Sequence, residues 1–193
     1  MAELASRARV PILSLDESRA AADAAGVPAE LADRNLFRAL LACPGLAKGI
    51  NDLLYSLLFG ASLSDRHREL IIMRIAWATG SDYEWTQHWQ VAQSAFGCDP
   101  EDLQAVRDWR RSSRMDATDR AVLAATDDTL ETGRVGAQTW AECERHLDGP
   151  KARIELVAAI AAWRLISEIA CSLEIPLETG TPSWPPDGTS PGS

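Results

Sequence analysis

The 193-residue chain has no Cys-x-x-Cys pair; its four cysteines, Cys43, Cys98, Cys143 and Cys171, stand far apart. That spacing supports neither a zinc knuckle nor a thioredoxin-type redox pair. Long apolar runs are missing as well. The longest nearly uncharged one, Leu156 to Trp163, is too short to cross a bilayer. The N-terminus lacks the basic segment, apolar stretch and small-residue cleavage site of a secretory signal. Free thiols and no membrane partner are therefore expected, in a reducing cytoplasm. Positive charge is also in short supply, with 28 acidic residues against 19 basic ones and a net charge of −9. Such a field repels a polyanion unless the basic residues cluster on one face. The densest group, Arg107, Arg110, Arg111 and Arg114, is interrupted by Asp108 and serines and reads as a solvated helix end. Nucleic acid is not an expected partner.

Strand-period alternation of useful length and internal repeats are absent too, which leaves an all-α chain. Met1 to about residue 33 reads as an N-terminal arm, with Val10-Pro11-Ile12-Leu13 extended and a short helix over Asp16 to Ala25 before Gly26. Residues 34–178 read as one helical domain. Helical spacing and caps predict helices over Leu46 to Phe59, Arg66 to Thr79, Tyr83 to Phe96, Arg120 to Thr132, Ala137 to Leu147 and Ala152 to Leu173. Short helical pieces are expected around Leu36 to Leu41 and from Pro100 towards Trp109. The last long helix is apolar all round at its centre and is expected inside the core. Residues 179–193, rich in Pro, Gly and Ser, read as a flexible tail on which Trp184 is the one residue suited to docking.

The stretch most informative about chemistry is Gly80-Ser81-Asp82-Tyr83-Glu84-Trp85-Thr86-Gln87-His88-Trp89. Glu84 and His88 lie four apart and so share a helix face, which continues as Val91, Ala92 and Ala95. Burial raises a carboxylate pKa and lowers an imidazole pKa, whereas mutual attraction acts the other way. A partly desolvated pair of this kind is suited to proton transfer near neutral pH. The same pair also serves as a structural tie between helices. Two ligands without a third make a poor metal site, so no metal is expected. Arg74 and Arg164 interrupt strongly apolar runs and need partners. Glu168, one turn on, suits Arg164, and Glu84 on the next helix suits Arg74. Arg74 is alternatively a clamp for an acidic substrate. Three of the seven tryptophans, Trp77, Trp85 and Trp89, surround the Glu84–His88 segment, either as core or as an aromatic pocket.

The block from Leu63 to Ala95 resembles the carboxymuconolactone decarboxylase-like family, within the alkylhydroperoxidase D-like superfamily. The resemblance rests on Arg66-His67-Arg68-Glu69-Leu70-Ile71-Ile72-Met73-Arg74-Ile75-Ala76-Trp77 and on Gly80 to His88, and more weakly on Val10-Pro11 and Ile175-Pro176-Leu177-Glu178-Thr179-Gly180. It implies an alkylhydroperoxidase D-like bundle of about six to eight helices that assembles into homo-oligomers (dimers, trimers or hexamers). In the peroxidase branch two cysteines three apart precede a histidine by seven and four residues. Aligning that histidine with His88 puts Ser81 and Glu84 where the thiols would be. Neither side chain can attack a peroxide or resolve a sulfenic acid, so peroxidase activity is not expected. The decarboxylase branch implies a cofactor-free lyase or isomerase moving protons on a small unsaturated acid, lactone or polyketide-like molecule. By that analogy Glu84 and His88 are the acid–base pair, and Arg74, Trp77, Tyr83 and Trp85 contact the substrate. The alternative is a non-catalytic ligand-binding or structural homo-oligomer of the same fold.

Overall fold

Helix ends fall where capping side chains and left-handed glycines put them. The computed structural model describes residues 8–192 and contains, among them, ten α-helices and no strand. They are α1 (Leu15–Ala25), α2 (Ala29–Ala32), α3 (Asn35–Leu40), α4 (Pro44–Phe59), α5 (Asp65–Thr79), α6 (Asp82–Ser94), α7 (Pro100–Ala105), α8 (Ala117–Thr132), α9 (Ala137–His146) and α10 (Gly149–Ser172). A single 3-10 turn, Val106–Asp108, follows α7. Eight of the ten α-helices lie within the expected domain, and α1 and α2 belong to the arm. Ser14 with Glu17 and Asp116 with Asp119 form reciprocal capping boxes on α1 and α8. Gly80, at φ +70°, ends α5 in the left-handed conformation and lets α6 start two residues later.

The central helix is α5. Leu70, Ile71, Ile72, Met73, Ile75 and Ala76 are all buried, so it meets neighbours on every side. It packs against α6, α8 and α10. This differs from the expectation that α10 occupies the interior. Helix α10 buries Leu156, Ala159, Ile160, Trp163 and Ile166 on one face but leaves Ile154, Val157 and Leu165 exposed on the other. Its apolar circumference is thus divided between a core stripe and a surface stripe.

Val10, Ile12 and Leu13 pack on a cluster formed by α1, α3, α4 and the end of α10. Residues 1–7 of the expected arm and residue 193 of the expected tail lie outside the described residues. The tail itself is docked rather than loose. Trp184 is buried in the cluster that holds Trp85, its N–H donates to Asp82 Oδ1 (3.0 Å), and Trp85 Nε1 donates to the Pro185 carbonyl (2.7 Å). Arg107 pairs with Asp187 at 2.8 Å. One buried indole contributes more apolar area than the Pro/Gly composition suggests, and it is backed by specific hydrogen bonds.

Candidate active site

Helix α6 carries the site because its side chains divide cleanly between two faces. Gln87 and His88 lie three and four residues after Glu84, Val91 and Ala95 continue the same face, and all five line a cavity of about 350 Å³. Leu31 comes from α2, Arg34 and Phe37 from the start of α3, Leu54 and Leu58 from α4, and Trp163 and Ile166 from α10. Most of the wall is apolar, and its polar groups converge from α6 and the start of α3, as in sites for small organic ligands.

Behind His88 stands Glu69 of α5, which is fully buried. His88 Nδ1 lies 2.9 Å from Glu69 Oε2, and Trp163 Nε1 donates to His88 Nε2 at 3.3 Å. The tautomer follows from this network: a neutral ring carries its proton on Nδ1 towards Glu69 and keeps its lone pair on Nε2. Arg68 supports Glu69 from the far side, with Nε 3.4 Å from Glu69 Oε1 and Nη1 2.8 Å from Asp65, and its guanidinium stacks on Phe96 at 4.4 Å. Carboxylate, imidazole and indole therefore fix one ring orientation.

Glu84 is treated differently. It is buried, its Oε2 has no hydrogen-bond partner, and that oxygen lies 3.9 Å from His88 Nε2. Burial pushes its carboxyl up to about 7; Glu69 adds to the rise and His88 opposes it. For His88, burial favours the neutral ring, but the charge and hydrogen bond of Glu69, aided by Glu84, outweigh it and raise the pKa. Two neighbouring groups thus share protons near neutral pH. Leaving a buried polar atom unpaired costs about 1–3 kcal/mol, and Glu84, whose Oε2 is such an atom, is one of the residues that line the cavity.

Tyr83 also lines the cavity, although its hydroxyl is committed, donating to Glu178 Oε1 (2.8 Å) and accepting from the Leu36 N–H (3.2 Å). The other three residues singled out as substrate contacts lie elsewhere. Arg74 does not reach Glu84; its partner is Asp127 on α8 at 2.6 Å, with a second bond to the Val106 carbonyl (3.1 Å). Trp77 and Trp85 pack with Trp89 and Trp184 on the far side of α6, and Arg107 lies 4.8 Å over each of the first two rings. Arg164 pairs with Glu168 at 2.9 Å, as its spacing suggests.

Glu69, Arg34, Gln87 and Trp163 were not singled out in the sequence. A signal exists for Glu69, a carboxylate directly before the apolar run of α5. No comparable signal marks Arg34, which reaches the site from the start of α3. Among the described residues, no group of three or more His, Cys, Asp or Glu side chains is arranged to hold a metal ion.

Residues 44–128, which include α5, α6, Glu84 and His88, match the profile of the Carboxymuconolactone decarboxylase family. Over that segment the chain is similar to this family. No curated protein matches the sequence significantly. Among solved structures, an uncharacterized peroxidase-related protein with an alkylhydroperoxidase AhpD core from Ralstonia eutropha JMP134 superposes with a TM-score of 0.73 at 16% identity, covering 95% of this chain and 98% of that one. A peroxidase-related protein from Silicibacter sp. TM1040 gives 0.71 at 14% identity, covering 92% and 93%. The debrominase Bmp8 gives 0.68 at 17% identity, covering 86% of each chain, and a cysteine-to-alanine variant of it has been solved with 2,3,4-tribromopyrrole. These likenesses establish the AhpD-like helical fold. In this chain the cavity has no cysteine in its lining; Cys98 and Cys143 are buried elsewhere, and Cys43 and Cys171 lie at the surface.

Proposed function

We propose that the protein is a cofactor-independent lyase or isomerase that moves protons on a small unsaturated acid, lactone or polyketide-like molecule. The observation that carries this reading is Glu84, a cavity-lining residue whose buried Oε2 has no partner, beside a histidine whose Nδ1 is fixed by Glu69. The match of residues 44–128 to the decarboxylase family supports it. The debrominase Bmp8, a structural neighbour solved with 2,3,4-tribromopyrrole, supports a compact unsaturated ring as the body of the substrate.

In this mechanism His88 Nε2 is the base and Glu84 the acid. Nε2 takes a proton from carbon next to a carbonyl, and the electron pair of that C–H bond becomes an enolate. Glu84 then delivers its own proton to another carbon of the conjugated system, which completes an isomerisation. His88 now carries the extra proton and Glu84 the charge, and transfer between Nε2 and Oε2 restores both. In the decarboxylase variant the carbon–carbon bond breaks, carbon dioxide leaves, and the electron pair left on the substrate takes the Glu84 proton; water supplies the next one. Charge separation is limited because His88 becomes cationic between two carboxylates.

Tyr83 contacts the ligand with its ring, since its hydroxyl is engaged. Four unpaired cysteines are in keeping with a cytoplasmic location. The chain acts as a homo-oligomer: Ile154, Val157 and Leu165 on α10, and Leu46, Leu53, Tyr55 and Phe59 on α4, are large apolar side chains left exposed. Light scattering on the eluting peak of a size-exclusion column reads the subunit number directly.

The enzymatic reading is tested by incubating the protein in D2O with a panel of small butenolides and β,γ-unsaturated acids and following carbon-bound hydrogen by proton NMR. At least one compound exchanges or isomerises with wild type, and Glu84→Gln and His88→Ala slow that reaction at least about 100-fold. Full turnover in both variants contradicts the assigned roles.

A further inference from the structure

Arg34 lines the cavity mouth, is exposed to solvent, and forms no ion pair among the described residues. Its sequence neighbour Asp33 is taken by Arg19 through two bonds of 2.8 and 2.9 Å. Arg68 and Arg74, the other arginines near this part of the fold, are each neutralised by a carboxylate. What holds Arg34 in place is an amide rather than a charge: its Nη1 donates to Gln87 Oε1 at 3.0 Å. Gln87 is in turn oriented by Glu178, whose Oε2 accepts from Gln87 Nε2, while Oε1 accepts from the Tyr83 hydroxyl and the Asn35 N–H. The guanidinium is therefore pre-positioned with no carboxylate of the described residues bonded to it.

We propose that Arg34 binds the carboxylate of the substrate, and that the substrate is accordingly a small monocarboxylic acid with an apolar unsaturated or aromatic body. This names a ligand class for the site described above and rests on that reading for what happens at the inner end of the cavity. The anchor itself stands on separate geometry. Gln87 and Glu84 are three residues apart on the same face of α6, so a ligand held by Arg34 extends about one helical turn to reach the acid. Between the two ends the wall is apolar, with Leu36, Phe37, Leu54 and Leu58 among its residues, and it offers no partner for a second charge. A dicarboxylate would place its second charge near Glu69 and Glu84. One anion at the mouth and none within is the pattern that fits.

The test measures binding rather than turnover. Benzoate, cinnamate and trans-3-pentenoate, each paired with its primary amide, are titrated calorimetrically into wild type, Arg34→Ala and Arg34→Lys. Wild type binds at least one acid about tenfold or more tightly than its amide. Arg34→Ala reduces that preference to about twofold or less while leaving amide affinity unchanged, and Arg34→Lys retains part of it, because an ammonium keeps the charge but not the planar fork. The proposal is overturned if no acid shows saturable binding, if acids and amides bind wild type alike, or if Arg34→Ala keeps the preference. The two readings fail separately: if the acids show the Arg34-dependent preference yet no compound exchanges with D2O, the anchor stands and the catalytic assignment falls.

Discussion

One face of α6 carries Glu84, Gln87 and His88 into a cavity, while another carries Trp85 and Trp89 into a sealed aromatic cluster. Both faces are built from large or polar side chains on adjacent positions, yet they are finished in opposite ways. Around Trp85 the indole N–H is bonded, the rings of Trp77, Trp89 and Trp184 close over one another, and Arg107 with its partner Asp187 covers the outside. Around Glu84 a carboxyl oxygen is left unpaired, and the imidazole held by Glu69 and Trp163 lines a cavity. An unpaired polar group is destabilising, so the contrast separates a face that stabilises the fold from one kept available for a ligand.

The sharpest way to break this contrast is to substitute residues on each face and record both activity and stability. Glu84→Gln and His88→Ala remove about two to four orders of magnitude of proton-transfer rate, measured by exchange of the responsive substrate in D2O; Glu84→Gln does so with little loss of melting temperature, whereas His88→Ala also lowers it by leaving the buried Glu69 without its partner. Trp85→Ala does the reverse. It removes a fully buried indole and the donor to Pro185, lowering stability by about 3–5 kcal/mol in urea denaturation. Arg74→Ala gives a smaller loss, about 1–3 kcal/mol, because Asp127 keeps its bonds to Trp109 and Arg110. If Arg74→Ala instead weakens ligand binding without destabilising the fold, the separation of the two faces is drawn in the wrong place.

The smallest effect is on pH dependence. Glu84 has a folded-state pKa raised to about 7 from an ordinary 4.5, so the native state binds more protons than the unfolded chain between those values. Stability then falls as pH rises through that window. His88 is also raised, so its contribution is fully present below about 6.5 and is lost as pH rises through its folded value, with the same sign. Denaturation midpoints taken across pH 4 to 9 should decline for wild type, and Glu84→Gln should flatten the lower part of the curve.

How much of this was legible in the sequence depended on whether the partners were local. Helix boundaries were, because Ser14, Ser64, Asp116 and the glycines at positions 26, 80 and 133 act within a few residues of themselves. Glu84 and His88 were legible as a pair for the same reason. Glu69 was not, since it meets His88 from the preceding helix, 19 residues away, and no periodicity links the two. Arg74 stood out as a charge in an apolar run, but its partner Asp127 lies 53 residues on, and nothing nearby indicated it over Glu84. Arg34 shows the opposite case, an unremarkable arginine at the start of α3 that becomes significant only because Gln87 holds it at the cavity mouth. The tail was misjudged by averaging over its composition, when Trp184 and Asp187 supply most of what fixes it.

The central claim is that Glu84 is an acid poised near neutral pH at a cavity wall. Its most direct test is a carbon-13 NMR titration of the Glu84 side-chain carboxyl, assigned by comparison with Glu84→Gln. A midpoint near 7 is the predicted result. A midpoint near the ordinary 4.5 would show that Glu84 is solvated or paired, and would contradict the account.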